Sequence, residues 1–478
     1  MESIVEERLV SFKELEKKIY CYVCELGREI TQIILERYDK ELMEGRDSAQ
    51  YRHKGARKTT IKTVYGEVEY SRRIYQTKTE CGEKAFVFLL DEAMQIERIG
   101  LISSNLAEKL AMTITEATYR VTAETISSTC GQTISHGGVW NFIQRLGEKI
   151  SAEEADVARM HADQTKGTKE IPTLFEEMDG VWLKMQARDH KRAPSQEMKV
   201  FTMYEGWDAE AEKAKRSTLA NKSMMAGMED SRSFHEKREA FIRSRYNADE
   251  IQQRILNGDG GGWVKEDYDP EAIFQLDRYH VYQDILRKIR DKEAQRDIRN
   301  LFDEGKIEAL FDSILMYADS VESDDPEDKA SRNARELYRY LKNNEEGLLP
   351  YHQRGIRIPE PQEGMLHKEM GVQENQNCTL ITMRMKHRRM RWGRGANNLA
   401  KVMYRKENRE LIETIDRYSD GLITNVAFTE IIETLSAAKA PKNDGKGNPY
   451  PDIIRAHMPL LEAMQTASRK AFKRAFSY

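Results

Sequence analysis

Three acidic residues stand where a predicted strand or core element meets a turn. Asp179 lies in an MDG sequence, Asp259 in a GDGGG sequence, and Glu374 in a QEN sequence. Carboxylates from distant parts of a chain that converge at one sheet edge bind hard divalent cations such as Mg²⁺ or Mn²⁺. Two such ions about 3.5–4 Å apart can activate an attacking oxygen and stabilise a leaving one in phosphoryl transfer. Any one of these acids is more simply a surface residue, so the prediction depends on the three together.

The segment around Asp259 has the features of a strand that ends at an open site. An apolar run up to Leu256 meets Gly258, Asp259 and then three consecutive glycines. Glycine has no Cβ, so Gly260–Gly262 can turn sharply and let a polyanion or a metal ion approach the backbone. No Gly-Lys-Ser/Thr sequence opens a following helix, which argues against a P-loop. The alternative is that Asp259 serves only to form the turn.

The elements that must position these acids follow a recognisable order. The predicted elements are strands at residues 174–185, 198–204 and 217–225, a helix at 233–246, and a strand that ends at Asp259. Strand, strand, strand, helix, strand is the order of a ribonuclease-H-like core, in which the first and fourth strands lie side by side. Asp179 and Asp259 should therefore project together.

The N-terminal third of the sequence favours DNA binding. Residues 1–46 are predicted to be one or two amphipathic helices, and residues 51–76 a β-hairpin in which basic residues alternate with tyrosines. Two predicted helices around Gly131, at 115–129 and 136–147, resemble a helix-turn-helix whose second helix reads DNA. In the hairpin, the residues predicted to contact DNA phosphates are Arg52, Lys54, Arg57, Lys58, Arg72 and Arg73. The alternative is that these basic residues form a solvated face of the hairpin.

A second basic run follows the Glu374 segment. We predict that residues 384–394 form a phosphate-contacting helix beside the site, with a solvated helix face as the alternative. The residues predicted to contact DNA there are Arg384, Lys386, Arg388, Arg389 and Arg391.

Composition limits the class of protein. The chain has 478 residues, of which 39% are hydrophobic and 33% charged, with a net charge of −4. No apolar stretch is long enough to span a membrane, and the N-terminus has no apolar signal core. The five cysteines are scattered and odd in number, and Cys21 and Cys24 fall in a helical pattern. We therefore predict an intracellular protein with no disulfide framework and no membrane partner.

Several of these residues, with the sequences around them, resemble those of a known family. Asp179 in MDGVWLK, Asp259 in NGDGGGWVK, the Asp277-x-x-His280 element and Glu374 resemble the Mutator-like superfamily of DDE transposases, most closely the bacterial ISLre insertion-sequence transposases. The hairpin sequence TVYGEVEYSRRIY is similar to that family's N-terminal signature. The family pattern continues after the glutamate with a histidine and small residues, whereas this chain has NQNC, so Glu363 and Glu369 compete for the third position.

The resemblance implies a fold and an activity. It implies an α/β multidomain protein whose RNase H-like catalytic core is interrupted by an all-helical insertion and preceded by a helical, β-hairpin and helix-turn-helix DNA-binding region. It further implies a magnesium-dependent transposase that cleaves transposon ends and joins the freed 3′-OH to target DNA. Asp179, Asp259 and Glu374 would hold two Mg²⁺ or Mn²⁺ ions, and Asp277 and His280 would be catalytic.

The remaining expectations concern partners and boundaries. Double-stranded DNA, as terminal inverted repeats and as target, would be bound by a homodimer or higher oligomer in the bacterial cytoplasm, at the nucleoid. The rival functions are a nuclease of the same fold that only hydrolyses, and a catalytically inactive DNA-binding protein. The predicted regions are 1–50 (helical arm), 51–158 (DNA-binding), 171–284 (core, first part), 285–362 (helical insertion), 363–405 (core, last part) and 406–478 (C-terminal helices).

Overall fold

The structure is a computed structural model, and it describes residues 11–79, 81–95, 101–161, 166–187, 191–265, 272–322 and 329–419. All of them belong to a single unit of the chain. Within these ranges no helix combines the length and the apolar character that crossing a membrane requires.

The N-terminal part begins with one long helix followed by a three-stranded antiparallel sheet. Its elements are α1 (Phe12–Gly45), β1 (Arg52–Thr63), β2 (Gly66–Lys78), β3 (Lys84–Val87), α2 (Leu89–Met94), α3 (Ser104–Glu116), α4 (Tyr119–Thr129) and α5 (His136–His161). The predicted hairpin is confirmed and is longer than expected, with β3 added beside β2. Gly66 closes the hairpin opposite Thr63 at a φ of +125°, a conformation that glycine adopts without steric cost.

The two helices predicted as a helix-turn-helix differ from the expectation in their bounds. The first is divided, because α3 ends at Glu116 and Thr118 caps α4 by accepting a hydrogen bond from the Val121 amide. The second, predicted at 136–147, continues as the 26-residue helix α5. Apolar residues of all three helices belong to the same core as the central sheet, which is where their main packing lies.

A five-stranded mixed sheet forms the centre of the described chain. The elements of this part are β4 (Thr173–Gln186), β5 (Arg192–Tyr204), β6 (Gly206–Asp208), α6 (Ala209–Lys213), β7 (Leu219–Ala220), β8 (Ser223–Gly227), α7 (Ser231–Arg245), β9 (Gln253–Gly258), α8 (Gly262–Lys265) and β10 (Ile273–Leu276). The strand order is β10-β9-β4-β5-β8. β4 pairs antiparallel with β5, and β5 with β8, whereas β4–β9 and β9–β10 are parallel.

The prediction of an α/β protein is confirmed, and one strand of the central sheet, β10, was not predicted. The four residues of β10 are too few to show a period, and their place at the sheet edge comes from pairing with β9.

The predicted helical stretch between Asp259 and Glu374 is helical. It comprises α9 (Arg278–Lys288), α10 (Lys292–Asp303), α11 (Ile307–Ser320) and α12 (Ala330–Asn343). These helices pack around a separate core that includes Ile285, Phe302, Ile314 and Leu337.

The last described elements pack largely on the central sheet and the helices around it, and several of their apolar residues belong to the same core. They are β11 (Met365–Leu366), α13 (Gln373–Asn377), a π-helical segment (Cys378–Lys386), a 3₁₀ turn (His387–Arg389), α14 (Ala396–Glu407) and α15 (Leu411–Ser419). The prediction of one basic helix over 384–394 is wrong, because the π-helical segment ends at Lys386 and extended chain follows the 3₁₀ turn. Most of the predicted C-terminal region 406–478 and the first ten residues of the helical arm lie outside the described residues.

Candidate active site

Pairing of β4 with β9 brings Asp179 and Asp259 to the same end of the sheet. The two strands are parallel and in register, with Met178 opposite Gly258. The next residues along both strands are Asp179 and Asp259. The side-by-side arrangement predicted from the element order is therefore confirmed. Asp179 is 7% exposed, so this carboxylate is largely removed from water.

The turn after β9 is held by its own backbone and by the helical region. The Gly261 amide donates to Asp259 Oδ1 at 2.8 Å, and the Tyr340 hydroxyl of α12 donates to the Asp259 carbonyl oxygen at 2.8 Å. Gly260 has a φ of +73°, and a Cβ there would lie 2.4 Å from Asn344 Oδ1. The turn thus requires glycine for conformation and for space, and α12 fixes its position.

Asp277 occupies the equivalent position on the neighbouring strand. Leu276 of β10 pairs with Gly258 of β9, so Asp277 follows its strand at the same sheet end as Asp259. Its Oδ1 accepts a 2.8 Å hydrogen bond from the Tyr279 amide and caps α9, and Asn257 Nδ2 donates to its Oδ2 at 3.2 Å. Asp277 is therefore both a helix cap and a buried acid of the site.

His280 points from the first turn of α9 toward the sheet. Its Nε2 lies 3.6 Å from Asp179 Oδ2. His280 therefore faces the acids, and its near contact is Asp179.

Glu374 reaches the same region from α13, at the exposed side of the site. α13 is joined to Asp179 by its last residue, Asn377, whose Nδ2 donates to Asp179 Oδ2 at 2.6 Å. Burial and the charge of Asp179 raise the pKa of Glu374. The competing Glu369 is exposed and has His352 as its near partner, 3.9 Å away, and Glu363 is exposed before β11. Of the three glutamates, Glu374 is the one that the fold brings to Asp179.

At this site the carboxylates outnumber the positively charged groups beside them. Burial and the charge of Asp179 raise the pKa values of Asp259 and Asp277. Burial alone would lower the pKa of His280, but Asp179, Asp277 and Asp259 outweigh it and raise the value to about 9. His280 is therefore protonated at neutral pH and carries a positive charge beside Asp179.

The carboxylates of the site are the type of ligand that suits a hard divalent cation, but their side chains lie apart from one another in this structure. Within the described ranges, no three His, Cys, Asp or Glu side chains are close enough together to hold a metal ion as they stand. Asp179 Oδ2 accepts a 2.6 Å hydrogen bond from Asn377 Nδ2 and also faces His280. Metal binding through this oxygen would require Asn377 and His280 to move away from it.

The basic residues predicted to contact DNA divide into exposed and buried groups. In the hairpin, Arg72 is 8% exposed, pairs with Asp91 and stacks over Phe88, so its assignment to a DNA surface is corrected to a structural one. Arg73 is partly buried and pairs with Asp39. The residues that are exposed on β1 are Arg52, Lys54, Arg57 and Lys58.

The second basic run divides in the same way. Arg384 is 7% exposed and donates to the Ile114 carbonyl at 2.9 Å, so it joins the π-helical segment to α3 and its assignment to DNA is also corrected. The Arg388 side chain lies outside the described set. Lys386, Arg389 and Arg391 are exposed.

Sequence analysis missed several residues of the site. Glu177 precedes Asp179 by two residues in the same strand, so it lies on the same face; this period of two is the signal that could have found it. Asn377, which donates a hydrogen bond to Asp179, was also missed; it lies one helical turn beyond Gln373. Glu197 on β5 accepts a 3.2 Å hydrogen bond from Trp263 Nε1, and burial together with Asp259 and Asp179 raises its pKa.

Comparison with known sequences finds one family. The chain matches the family described as "Uncharacterised protein family (UPF0236)" over residues 5–414. A UPF0236 protein of Caldanaerobacter subterraneus subsp. tengcongensis is 26% identical over 355 residues, which cover 73% of this chain and 68% of the relative. Two further UPF0236 proteins of that organism are 26% and 25% identical, each across 73% of this chain and 69% and 68% of their own length.

Proposed function

The chain belongs to the uncharacterised protein family UPF0236, and from this premise we propose that it is a DNA transposase of an insertion sequence. The observation that carries the proposal is the placement of Asp179, Asp259 and Asp277 at the same end of three neighbouring strands. Glu374 lies on α13, which is hydrogen-bonded to Asp179 through Asn377. Such a group of carboxylates is the ligand type that divalent cations use in phosphoryl transfer.

The topology supports the RNase H-like part of the proposal. β5 pairs antiparallel with both β4 and β8, β9 pairs parallel with β4, and β10 pairs parallel with β9. This is the strand order that we expect of an RNase H-like core, so it supports the proposed fold. The helices α9–α12 lie between β10 and α13, as expected of an insertion. The resemblance to Mutator-like DDE transposases and to the ISLre family remains a prediction that this topology supports.

The proposed chemistry is two successive phosphoryl transfers on DNA. In the first, a water oxygen attacks a phosphorus at the element end, and the broken bond leaves a free 3′-OH. In the second, that 3′ oxygen attacks a phosphorus in target DNA and displaces the target's own 3′ oxygen, which takes up a proton. Two bound divalent cations, Mg²⁺ or Mn²⁺, would supply activation of the attacking oxygen and stabilisation of the leaving one.

The residues of the site have distinct parts in this chemistry. Asp179, Asp259 and Glu374 would hold the cations, and Asp277 would keep α9 and its His280 in position by capping the helix. Protonated His280 provides a positive charge beside the acids, where it would attract a backbone phosphate. The exposed basic residues of β1 would bind DNA away from the site.

The names of the relatives give a further point in favour of a mobile element. The printed name of one relative joins eleven numbered designations in a single protein, and another joins four. One protein under many designations in one organism is what a multicopy element produces. For this chain it supports transposition as the proposed process.

Strand transfer by the full-length chain tests the proposal. The substrates are duplexes with the terminal sequences of the DNA segment that encodes the chain, a supercoiled target plasmid and Mg²⁺. We expect cleavage at the element ends and joined products, both lost in Asp179→Asn. Glu374→Gln should also abolish joining, whereas Glu369→Gln and Glu363→Gln should retain it. If all three glutamine variants retain joining, the three-acid site is wrong.

Two alternatives have distinct outcomes in the same assay. Cleavage without joining identifies a hydrolytic nuclease of the same fold. Salt-sensitive DNA binding with neither reaction identifies a catalytically inactive DNA-binding protein. The second has one observation in its favour, since Asp179 is already engaged by Asn377 and His280.

A further inference from the structure

Glu177 is a fully buried carboxylate that the proposed chemistry does not use. It lies on β4, two residues before Asp179, and its side chain is on the same face of the sheet. Burial of a carboxylate without partners is costly, so its contacts indicate its role. These contacts lie mainly in the segment that precedes Glu374.

The backbone amides of residues 371–373 converge on this carboxylate. Gly371 N donates to Oε1 at 3.1 Å, Val372 N donates to both oxygens at 3.2 and 3.0 Å, and Gln373 N donates to Oε2 at 3.1 Å. All three amides are contiguous, and Glu374 is the next residue in the chain. Glu177 therefore binds the backbone immediately before the proposed third metal ligand.

Two side chains complete the coordination of Glu177 from the sheet. The Tyr204 hydroxyl donates to Oε1 at 2.6 Å, and Asn257 Nδ2 donates to Oε2 at 3.0 Å. Every one of these protein partners donates, and together they use the acceptor capacity of both oxygens. An amide nitrogen in place of Oε2 would face amide N–H groups and repel them.

A second chain of hydrogen bonds returns from the same segment to Asp179. The Gln373 side-chain amide donates to Asn377 Oδ1 at 2.9 Å, and Asn377 Nδ2 donates to Asp179 Oδ2 at 2.6 Å. Gly371 allows the segment to approach, since its φ is +120°. The segment with Glu374 is thus attached to β4 at Glu177 and again at Asp179.

We propose that Glu177 is a positioning residue that holds the backbone of residues 371–373 and thereby sets Glu374 opposite Asp179 for metal binding. The inference rests on the proposed function for the identity of the ligand, because it takes Glu374 to be a metal ligand. The attachment of residues 371–373 to β4, which is the structural part of the inference, does not depend on activity. A residue that orients a metal ligand in this way affects affinity for the metal without contacting it.

Glu177→Gln in the full-length chain tests the inference through two readouts that need no catalysis. The first is hydrogen exchange of the amides of residues 371–373, and the second is binding of Mn²⁺ followed by electron paramagnetic resonance. We expect faster exchange of these amides and Mn²⁺ binding weakened by about 10–100-fold. The matched control is Glu176→Gln, since Glu176 is equally buried but faces the other way and pairs with Arg254. This control should leave both readouts near their wild-type values.

The outcomes separate this inference from the proposed function. Unchanged Mn²⁺ binding in Glu177→Gln, or no Mn²⁺ binding by the wild-type chain, overturns the inference. Mn²⁺ binding that depends on Glu177, in a chain that neither cleaves nor joins DNA, supports the inference while the transposase proposal fails.

A second variant keeps the test valid if Glu177→Gln does not fold. Gly371→Ala introduces backbone strain at an exposed position with open space around it, so the fold should survive. It should loosen residues 371–373 and weaken Mn²⁺ binding in the same direction. Faster exchange with unchanged Mn²⁺ binding would overturn the inference.

Discussion

Two groups of buried acids in this protein have opposite electrostatics. Behind the sheet, Lys401 and Lys237 meet Glu154 and Glu229 in what we name the lysine–glutamate cluster. The fully buried Lys401 Nζ lies 2.7 Å from Glu154 and 2.8 Å from Glu229, and Lys237 Nζ lies 2.6 Å from Glu229. Burial would raise the pKa of Glu229, but the two lysines outweigh it and lower the value to about 2.

At the candidate active site the balance is reversed. The imidazole of His280 lies beside Asp179, and the pKa values of Asp259, Asp277 and Glu374 are raised by burial and by the charge of Asp179. Buried charges are stable when paired and costly when unpaired. The lysine–glutamate cluster therefore serves the fold, whereas the acids of the site lack cations that a bound ligand would provide.

The largest effect should come from removing an acid of the site. We expect Asp179→Asn or Asp259→Asn to lower DNA cleavage by about 10³-fold or more, because the acids act as a unit. In Asp259→Asn, stability to denaturant should stay the same or rise slightly, since the substitution relieves repulsion between carboxylates. Glu369→Gln is the control, as an exposed acid away from Asp179. If Asp259→Asn unfolds, the contrast between the site and the lysine–glutamate cluster is wrong.

A large loss of stability should follow removal of a cation from the lysine–glutamate cluster. Lys401→Met leaves Glu154 and Glu229 buried with fewer partners, and we expect a loss of about 3–5 kcal/mol in the free energy of unfolding. Lys213→Met, which breaks an exposed pair with Glu210, should cost about 0–1 kcal/mol. Denaturant unfolding measures both. A loss below about 1 kcal/mol for Lys401→Met would show that this cluster is dispensable.

Acid pH should affect the two groups in opposite directions. The pKa of Glu229 falls from 4.5 to about 2 on folding, so its stabilisation is present above pH 4.5 and is lost as the pH falls toward 2. The loss should be on the order of 3 kcal/mol and should be smaller in Glu229→Gln. The raised pKa of Asp259 has the opposite sign, so protonation favours the folded state and Asp259→Asn should not steepen acid unfolding. Unfolding curves measured from pH 6 to the acid limit compare the three proteins.

The smallest predicted effect concerns the histidine of the site. His280→Ala should lower DNA cleavage roughly tenfold, about 1.4 kcal/mol, with the thermal midpoint nearly unchanged. Tyr279→Phe is the neighbouring control and should leave cleavage close to wild type. A large fall in stability with normal cleavage by the folded fraction would make His280 a structural residue.

Local sequence patterns determined the main elements and the first two acids. The strand predicted at residues 174–185 is β4, and the glycines after Asp259 predict the end of β9. Because neighbouring strands in this element order must lie side by side, the Asp179–Asp259 pair could be predicted without coordinates. The helical region between Asp259 and Glu374 followed from its period of 3.6.

Tertiary structure alone decided which charged residues are buried and with what partner. Arg72 and Arg384 have the same side chain as the exposed Arg52 and Arg57, and only packing against Asp91 and the Ile114 carbonyl makes the first two structural. Likewise, the contacts with residues 371–373 distinguish Glu177 from the other acids of the chain. Residue type fixes the charge a side chain can have, but its solvent exposure and its partner depend on contacts between distant parts of the chain.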